Sequence, residues 1–329
     1  MTDATTTASG ASVPLVSIVM PCYNSERFLG ETLASVQSQT YANWELIAVD
    51  DCSTDGTRAI LNRAAAGDAR VRIFGHTQRG GRPAVTKNTG LREVRGEFLC
   101  FLDHDDLYLP RKLEVLLQAL KTRPECVAAF HDLDLVNAAG KITGRYLPQF
   151  LTDAEEYLTA IGKDQFLASP AFYRFQSVHY AALHTIGCML AVKRLPLSEL
   201  RFDTRYAVCD DTDLWIRIGL CGPMVYCDER LAHYRLHDSN ITRDSSKFHL
   251  DVTKLIEVNI VRMRERLDQQ ALVAMRRRLA THYDSLGYAL RKDRRPGAAA
   301  AYLNSLRLAP RWHTALALAK AWLPARPGA

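Results

Sequence analysis

The stretch VSIVMPCYNSERFLGETLASVQSQTYANWELIAVDDCSTDGT, residues 16–57, decides the fold class of this chain. Residues 16–20 and 45–49 are short apolar runs, and residues 26–39 between them carry apolar side chains at helical spacing. Such runs predict buried strands, and the intervening spacing predicts an amphipathic helix. The strand–helix–strand order predicts a parallel sheet that helices cover on both faces.

The same alternation continues outward from this stretch. Further strands are predicted at residues 71–74, 98–102, 127–130, 185–190 and 224–227, and further helices at residues 57–66, 83–94, 110–121 and 211–221. Between residues 138 and 183 the pattern weakens into an aromatic, loop-rich segment, with helical spacing only near residues 154–161. From residue 246 onward the spacing is helical, at residues 250–267, 271–290 and 297–308. We therefore predict an α/β domain over residues 15–243, preceded by a disordered leader (1–14) and followed by an all-α module (244–329).

The composition excludes several classes of protein. The 329 residues are 47% hydrophobic and 24% charged, which is ordinary for a globular chain and excludes collagen and a coiled-coil rod. The eight cysteines contain no C-x-x-C pair, so a structural zinc site or a disulfide framework is not expected. We find no secretory signal and no apolar run long enough to span a membrane. These features predict a cytoplasmic protein.

Polar side chains follow three of the predicted strands. Asn24 belongs to the PCYNS stretch after the first strand, Asp50 and Asp51 follow the second, and DHDD (residues 103–106) follows the fourth. Ligands of open parallel sheets bind at these carboxyl ends. Crowded carboxylates repel one another, and Mg²⁺ or Mn²⁺ would relieve the repulsion and imply a diphosphate ligand. Helix capping is the alternative: it accounts for Ser53–Gly56 and suits Asp106, but it leaves the other aspartates unexplained.

Two common nucleotide-binding classes lack support. The sequence contains neither G-x-x-x-x-G-K-[ST] nor G-x-G-x-x-G, which argues against a P-loop NTPase and a simple dehydrogenase. A nucleotidyltransferase would normally carry a glycine-rich, basic loop after the first strand, and PCYN at residues 21–24 is not one.

The motifs together resemble glycosyltransferase family 2. The stretch at 16–57, the later GGRPAVTKNTGLREVRGEFLCFLDHDDLYLPRKLE, and then CDDTDLWIRI and YRLHDSNITR occur in the family's order over residues 15–243. The resemblance implies a GT-A fold, with a Rossmann-like, mostly parallel sheet. It divides the domain into a nucleotide-binding half (15–137) and an acceptor-side half (138–243). It also implies a nucleotide-sugar donor, which we expect to be a UDP-sugar, a divalent metal, and transfer with inversion.

Inversion requires a base on the face opposite the leaving diphosphate, so a second acidic cluster is needed. Asp210-Asp211-Thr212-Asp213 supplies it. By the family match Asp211 is the base, but Asp210 stands where the family commonly has Glu, and the assignment between the two stays open. The alternative is that these carboxylates only favour the positive end of a helix dipole, which suits Asp213.

The remaining site assignments follow the same resemblance. Asp103, Asp105 and His237 are predicted to bind Mn²⁺ or Mg²⁺, with a structural role as the alternative for His237. Arg235 and Trp215 are predicted to contact the diphosphate or the acceptor, and aromatic residues 146–180 to bind the acceptor or form core. His104 is expected to point away from the metal. The predicted donor-binding set is Pro21, Tyr23, Asn24, Asp50, Asp51, Arg82, Lys87 and Asp103.

The charge is concentrated in the helical tail. Residues 244–329 carry 16 Lys and Arg but only 7 Asp and Glu, within a chain of net charge +6. We predict that the tail contacts an anionic membrane at the inner face, with simple solvation or packing on the catalytic domain as alternatives, and we expect no nucleic-acid partner. The function predicted is transfer of a sugar to a saccharide or lipid-linked acceptor in surface polysaccharide or glycolipid synthesis. The alternative is a non-catalytic nucleotide-sugar-binding scaffold, against which Asp103, Asp105 and Asp211 argue.

Overall fold

Four parallel strands form one half of the sheet. The structure, a computed structural model, describes residues 13–147, 154–169, 171–179, 183–238, 240 and 244–322, so most of the expected leader lies outside the described residues. The elements of this half are β1 (Val16–Cys22), α1 (Leu29–Gln37), β2 (Trp44–Asp50), α2 (Thr57–Gly67), β3 (Val71–Gly75), α3 (Pro83–Leu91) and β4 (Phe98–Phe101). Every residue of β1, β2 and β4 is buried, as their apolar sequences require.

Strands from the second half extend the same sheet. Its elements are β5 (Leu107–Tyr108), α4 (Lys112–Thr122), β6 (Ala128–Asn137), β7 (Ile142–Arg145), β8 (Leu158–Gly162), β9 (Gln165–Ala168), α5 (Phe172–His179), β10 (Cys188–Ala191), α6 (Asp210–Gly219) and β11 (Met224–Leu236). The strand order is β3-β2-β1-β4-β10-β6-β11-β9-β8, with β5 paired to β11 and β7 to β6. Strand β10 is antiparallel to both β4 and β6, whereas β6 and β11 are parallel. The predicted α/β architecture is confirmed as a mixed sheet whose nucleotide-side strands are parallel.

The segment at residues 154–161 differs from its sequence-based prediction. Helical spacing was expected there, but only a single 3₁₀ turn forms before the chain enters β8, which pairs with β9. The hairpin partner at residues 165–168 supplies the backbone hydrogen bonds that override the local apolar spacing. Helix α5 was not predicted either.

Helix α3 approaches the sheet unusually closely. A Cβ added at Gly90 would lie 2.5 Å from a methyl of Val19 on β1, so only glycine fits this contact. The close approach fixes the position of α3 beside the carboxyl ends of β1 and β2. It thereby places Lys87, one turn before Gly90, at the mouth of the sheet edge.

Helices α7 (Ser245–Arg262), α8 (Gln269–Lys292), α9 (Ala298–Leu308) and α10 (Trp312–Trp322) complete the described chain. Their helical character was predicted as part of the all-α module, although no separate range was given for α10. They do not form a detached module, because α7 and α8 share an apolar cluster with Tyr206, Cys209 and Ile216 of the α/β domain. The helical part and the segment that leads into α6 are therefore packed as one body.

Among the described residues, none of the helices combines the length and apolar character that a membrane crossing requires.

Candidate active site at the carboxyl edge of the sheet

A cavity of about 470 Å³ lies at the carboxyl ends of β1, β2 and β4 and extends to the start of α6. Sheets of this type bind ligands at this edge. The cavity brings together residues that lie more than 200 positions apart in the sequence, and no local pattern relates them. The predicted site residues that line it are Pro21, Tyr23, Asn24, Asp51, Arg82, Lys87, Asp103, Asp105, Asp210, Asp211 and His237.

The turn after β1 forms one wall of this cavity. Asn24 has a positive φ of 47°, a conformation that Asn tolerates better than most residues. Its backbone N–H donates to Ser53 Oγ (3.0 Å), and its side-chain oxygen accepts from the backbone N–H of Thr54 (2.9 Å). Tyr23 faces the guanidinium of Arg79, which lies 3.8 Å from the ring centroid. The two strand-end loops are thus tied together, and they present an aromatic ring and an arginine to the cavity.

Asp51 anchors the glycine pair that closes the next wall. Its carboxylate accepts hydrogen bonds from the backbone N–H groups of Gly80 (2.6 Å) and Gly81 (3.0 Å), and His76 Nδ1 lies 2.6 Å from its Oδ1. Burial opposes ionisation, but these donors hold the pKa of Asp51 below its ordinary value. Asp50 does not line the cavity. It is buried at the end of β2 and accepts from the backbone N–H of Ser53 (3.1 Å), so this position gives its predicted donor contact no support.

Residues 103–106, which we call the Asp103 loop, carry the first acidic group. Asp105 Oδ2 lies 2.8 Å from His237 Nε2, which joins the loop to the segment just after β11. Burial alone would raise the pKa of Asp105, but the hydrogen bond and the nearby imidazole charges lower it. His104 Nδ1 lies 3.2 Å from the carbonyl oxygen of Pro21.

The Asp103 loop and His237 carry ligand types that a divalent cation prefers. Asp103 and Asp105 supply carboxylate oxygens and His237 an imidazole nitrogen, a set of ligand types that suits Mn²⁺ or Mg²⁺. Within the described part of the chain, no three His, Cys, Asp or Glu side chains are gathered closely enough to hold a metal ion. The ligand types fit a divalent cation, although the described side chains do not form a complete set of ligands at metal-binding distance.

Arg235 holds the Asp103 loop instead of facing the cavity. Its side chain is buried, donates to the carbonyl oxygen of Asp105 (3.0 Å) and pairs with Glu31 (2.6 Å). Its backbone N–H donates to Asp106 Oδ1 (2.8 Å). Because its guanidinium is already used inside the fold, this position gives the predicted diphosphate contact of Arg235 no support. Asp106 does not cap α4, whose N-cap, Arg111, has no side-chain capping bond.

Residues 210–213, which we call the Asp210 segment, carry the second acidic group at the start of α6. Asp210 is buried, and its Oδ2 lies 3.3 Å from Lys87 Nζ. Burial raises the pKa of Asp210 to about 6, against the opposing charge of Lys87. Asp211 is less buried. It accepts from Thr185 Oγ1 (2.9 Å) and from the backbone N–H of Thr212 (2.7 Å), which orient its carboxylate.

Trp215 and the aromatic segment lie in the core. Trp215 is 1% exposed and packs against Phe101, with ring centroids 6.2 Å apart. It lies on the inner face of α6, and this position gives its predicted acceptor contact no support. Phe172 and Phe175 are also buried, and no described aromatic residue between 146 and 180 lines the cavity. Phe150 and Tyr180 lie outside the described residues.

Several lining residues were missed from the sequence. Thr185 was assigned to a strand, but β10 begins only at Cys188, which leaves Thr185 in a turn beside Asp211. A polar residue at the head of an apolar run is the signal that marks this position. The other missed residues carry no such signal; they include Arg79, Gly81, His184, Ala207, Val208, Tyr234 and Asn240.

The chain is similar to two bacterial glycosyltransferases. It is 36% identical over 141 residues (42% of this chain) to TuaG of Bacillus subtilis, which is named for teichuronic acid biosynthesis. It is 34% identical over 139 residues (42% of this chain) to WfgD of Escherichia coli, named as a UDP-Glc:alpha-D-GlcNAc-diphosphoundecaprenol beta-1,3-glucosyltransferase. These matches span 55% and 53% of the relatives, so the chain covers about half of their length.

Two solved structures share the fold. The structure of Staphylococcus aureus TarS 1-349 in complex with UDP superposes with a TM-score of 0.59 at 17% identity, over 90% of this chain and 81% of that one. The mannosyltransferase PcManGT from Pyrobaculum calidifontis, in complex with GDP-Man and Mn²⁺, gives a TM-score of 0.55 at 20% identity, over 94% of this chain and 79% of that one. The predicted GT-A architecture is confirmed.

The family model for glycosyl transferase family 2 matches residues 17–201, which is more than half of the chain. The matched range runs from β1 past β10 and contains the Asp103 loop and most of the cavity wall. The chain therefore belongs to glycosyltransferase family 2.

Proposed function

We propose that this protein is an inverting glycosyltransferase that moves a sugar from a UDP-sugar to a hydroxyl group of a saccharide or lipid-linked acceptor. The observation that carries the proposal is the shared cavity, into which the Asp103 loop and the Asp210 segment both open. A diphosphate leaving group and an attacking hydroxyl need acidic side chains in different roles, one set toward the donor phosphates and one toward the acceptor.

We propose that the donor binds in the nucleotide-side half of this cavity. Tyr23 and Arg79 offer a ring and a planar cation to a base, while Asp51 and the backbone of Gly81 offer polar groups to the nucleoside. The choice of a UDP-sugar is supported by the UDP complex of TarS and by the UDP-Glc in the name of WfgD. PcManGT is solved with GDP-Man, so a GDP-sugar is the alternative donor that the experiment compares with a UDP-sugar.

Asp211 is the proposed base. Its neighbour Asp210 is buried and paired with Lys87, so that carboxylate is committed to an internal ion pair. Asp211 instead lines the cavity with its orientation fixed by Thr185 and the Thr212 N–H. A carboxylate held in this way can accept the acceptor hydroxyl proton during an in-line attack.

A divalent cation is part of the proposal. Asp103, Asp105 and His237 would hold it, and when bound it would offset the negative charge that develops on the leaving diphosphate. The Mn²⁺ in the PcManGT complex supports this choice. The residues of this chain contribute the positioning: His237 fixes Asp105, and Arg235 fixes the backbone of the loop.

The acceptor is proposed to belong to cell-surface polysaccharide or glycolipid synthesis at the inner membrane face. The names of TuaG and WfgD support this class, and the second name includes a lipid diphosphate acceptor. Basic residues of α8 that are exposed, among them Arg276, Arg277 and Lys292, are the proposed contact with anionic lipid. Arg278 is not part of this proposed contact, because its guanidinium donates to the carbonyl oxygens of Ser177 and Val178.

Nucleotide release tests the proposal. The purified protein is incubated with Mn²⁺ and a panel of UDP- and GDP-sugars, and release of the nucleoside diphosphate is followed with and without a saccharide or polyprenyl-diphosphate saccharide acceptor. We expect UDP release from one UDP-sugar that increases with acceptor and is lost in Asp211→Asn. Donor binding by calorimetry with no turnover, in the presence of every acceptor class, would instead favour the non-catalytic scaffold.

A further inference from the structure

The loop that leads into α6 is held by a carboxylate from the helical part. Asp251 lies on the second turn of α7 and is 2% exposed. Its Oδ2 accepts hydrogen bonds from two consecutive backbone N–H groups, those of Ala207 and Val208, the second at 2.9 Å. A carboxylate that accepts two amide protons in a buried place makes strong, charge-assisted hydrogen bonds. Residues 207 and 208 are thus fixed from outside the α/β domain.

A second contact from the same helix reaches α6 itself. Arg262, eleven residues after Asp251 on α7, pairs with Asp213 Oδ1 (3.0 Å) and also donates to Asn259 (2.9 Å). Eleven residues of α-helix rise by about 16 Å, so α7 lies along the loop and the first turn of α6 and contacts them at two separated points. Two separated contacts resist rotation of the Asp210 segment as well as its translation.

The opposite side of this loop is held by α3. The Asn88 side chain accepts from the backbone N–H of Phe202 and donates to its carbonyl oxygen, both at 2.8 Å, and Arg82 donates to the carbonyl oxygen of Thr204 (2.5 Å). Residues 202–208 therefore lie between α3, which is fixed on the sheet, and α7, which belongs to the helical part. Removal of either support would free the loop on one side.

This loop is part of the cavity. Ala207 and Val208 line it beside Asp210 and Asp211, although neither contributes a functional side chain. Their backbone position sets where α6 begins, because Cys209 is the N-cap residue and the carbonyl oxygen of Cys209 accepts from the Asp213 N–H. A displacement of residues 207 and 208 would be carried directly to the carboxylate of Asp211.

We propose that Asp251 is a positioning residue for the transfer reaction, through which the C-terminal helices set the geometry of the base. We call the two hydrogen bonds from the backbone of residues 207 and 208 to Asp251 the clamp. The clamp is a property of the fold, whereas its catalytic consequence rests on the proposed function. Asp251 touches no substrate and acts through the backbone of residues 207 and 208. Displacements of about 1 Å at reacting groups can lower rates by about 100-fold, so the clamp is expected to matter for turnover more than for folding.

The test compares Asp251→Ala with two variants of the full chain. Lys254→Ala removes the ammonium group that lies 3.6 Å from Asp251 Oδ1 but leaves both backbone bonds. Asp244→Ala removes the N-cap bond of the same helix, from the Lys247 N–H, without touching the loop. Each protein is measured for Tm, for hydrogen exchange of peptides covering residues 202–209, and for kcat and donor KM.

We expect faster exchange at residues 202–209 and a fall in kcat of about 10- to 100-fold in Asp251→Ala. Asp244→Ala is expected to lower Tm, while kcat and the exchange of this peptide stay as in the unmodified protein. Lys254→Ala is expected to leave both kcat and the exchange of this peptide unchanged. Asp251→Asn, which keeps an acceptor oxygen, should recover part of the kcat and remains available if the alanine variant does not fold.

The outcomes separate the clamp from the proposed function. Unchanged exchange at residues 202–209 in both Asp251 variants would overturn the clamp, whatever the activity. Faster exchange with an unchanged kcat in Asp251→Ala would overturn the positioning role. The same conclusion would follow if Asp244→Ala lost as much kcat for each degree of lowered Tm as Asp251→Ala does. Absence of any turnover in the unmodified protein would count against the proposed transferase and would leave the exchange result to decide the clamp.

Discussion

The Asp103 loop and the Asp210 segment each place three aspartates within four residues, yet the protein supports them in different ways. In each group one aspartate is turned into the fold: Asp106 accepts from the backbone N–H of Arg235, and Asp213 pairs with Arg217 (2.8 Å) and Arg262 (3.0 Å). Burial and the neighbouring Asp105 and Asp103 charges raise the pKa of Asp106 well above its ordinary value. Asp213 is instead balanced by two guanidinium groups.

The difference separates two ways of building an acidic site. The Asp103 loop follows β4 directly and is fixed by the sheet and by the chain after β11, so its support is local to the α/β domain. The Asp210 segment begins a helix instead of following a strand, and it depends on α3 and α7 for its position. We therefore expect substitutions in the two groups to separate into effects on donor binding and effects on turnover or stability.

The largest expected effect belongs to Asp211. Asp211→Asn should lower kcat by about 10²- to 10⁴-fold, because the amide cannot accept the proton of the acceptor hydroxyl. The Kd for UDP, measured by calorimetry, should change little, since we propose that the donor phosphates bind at the Asp103 loop. If Asp211→Asn turns over normally while Asp210→Asn does not, the assignment of the base to Asp211 is wrong and the roles of the two residues are exchanged.

Stability separates the two inward aspartates. Asp213→Asn should lower the free energy of unfolding by about 3–5 kcal/mol, because it removes the buried negative charge that pairs with both Arg217 and Arg262. Asp106→Asn keeps an oxygen for the Arg235 N–H and should cost about 1 kcal/mol or less. Urea unfolding followed by circular dichroism measures both. Equal losses would show that the guanidinium pairs do not distinguish the two groups.

Donor affinity is the corresponding test of the Asp103 loop. Asp105→Asn should weaken Mn²⁺-dependent binding of UDP by about 10- to 100-fold, while the affinity without metal stays unchanged. Calorimetric titrations of UDP with Mn²⁺ and with EDTA give the two values. An unchanged Mn²⁺-dependent affinity would remove Asp105 from the proposed cation site.

The smallest effect concerns the helices that hold the Asp210 segment. Arg277 is exposed on α8, whereas its neighbour Arg278 donates to carbonyl oxygens of α5. Arg277→Gln should weaken binding to anionic vesicles by about 1 kcal/mol at low salt, and the difference should shrink at high salt. Flotation with anionic and neutral vesicles measures it. Binding that is equal on both vesicle types, or absent from both, would contradict an electrostatic contact.

The sequence predicted the nucleotide-side half of the site better than the rest. Asp51 and Asp103 directly follow buried strands, and the carboxyl ends of neighbouring parallel strands meet at one edge, so their convergence follows from the strand pattern. The burial of Trp215 and Arg235 was not predicted, because a motif gives an order of residues but not the face of the helix or strand. Contacts between a loop and a distant helix, such as Val208 with Asp251, have no periodic signal and become visible only in three dimensions.

The clamp from α7 also has a consequence for the order in which the protein is made. Chains leave the ribosome from the N-terminus, and early segments can begin to fold while later ones are still being synthesised. The strands β1–β4 and the Asp103 loop are complete when about a third of the chain has emerged, whereas Asp251 and Arg262 follow more than a hundred residues later. A nascent chain therefore has a nucleotide-side wall before the loop at residues 207 and 208 has its clamp. The cavity reaches its final geometry only once α7 has docked.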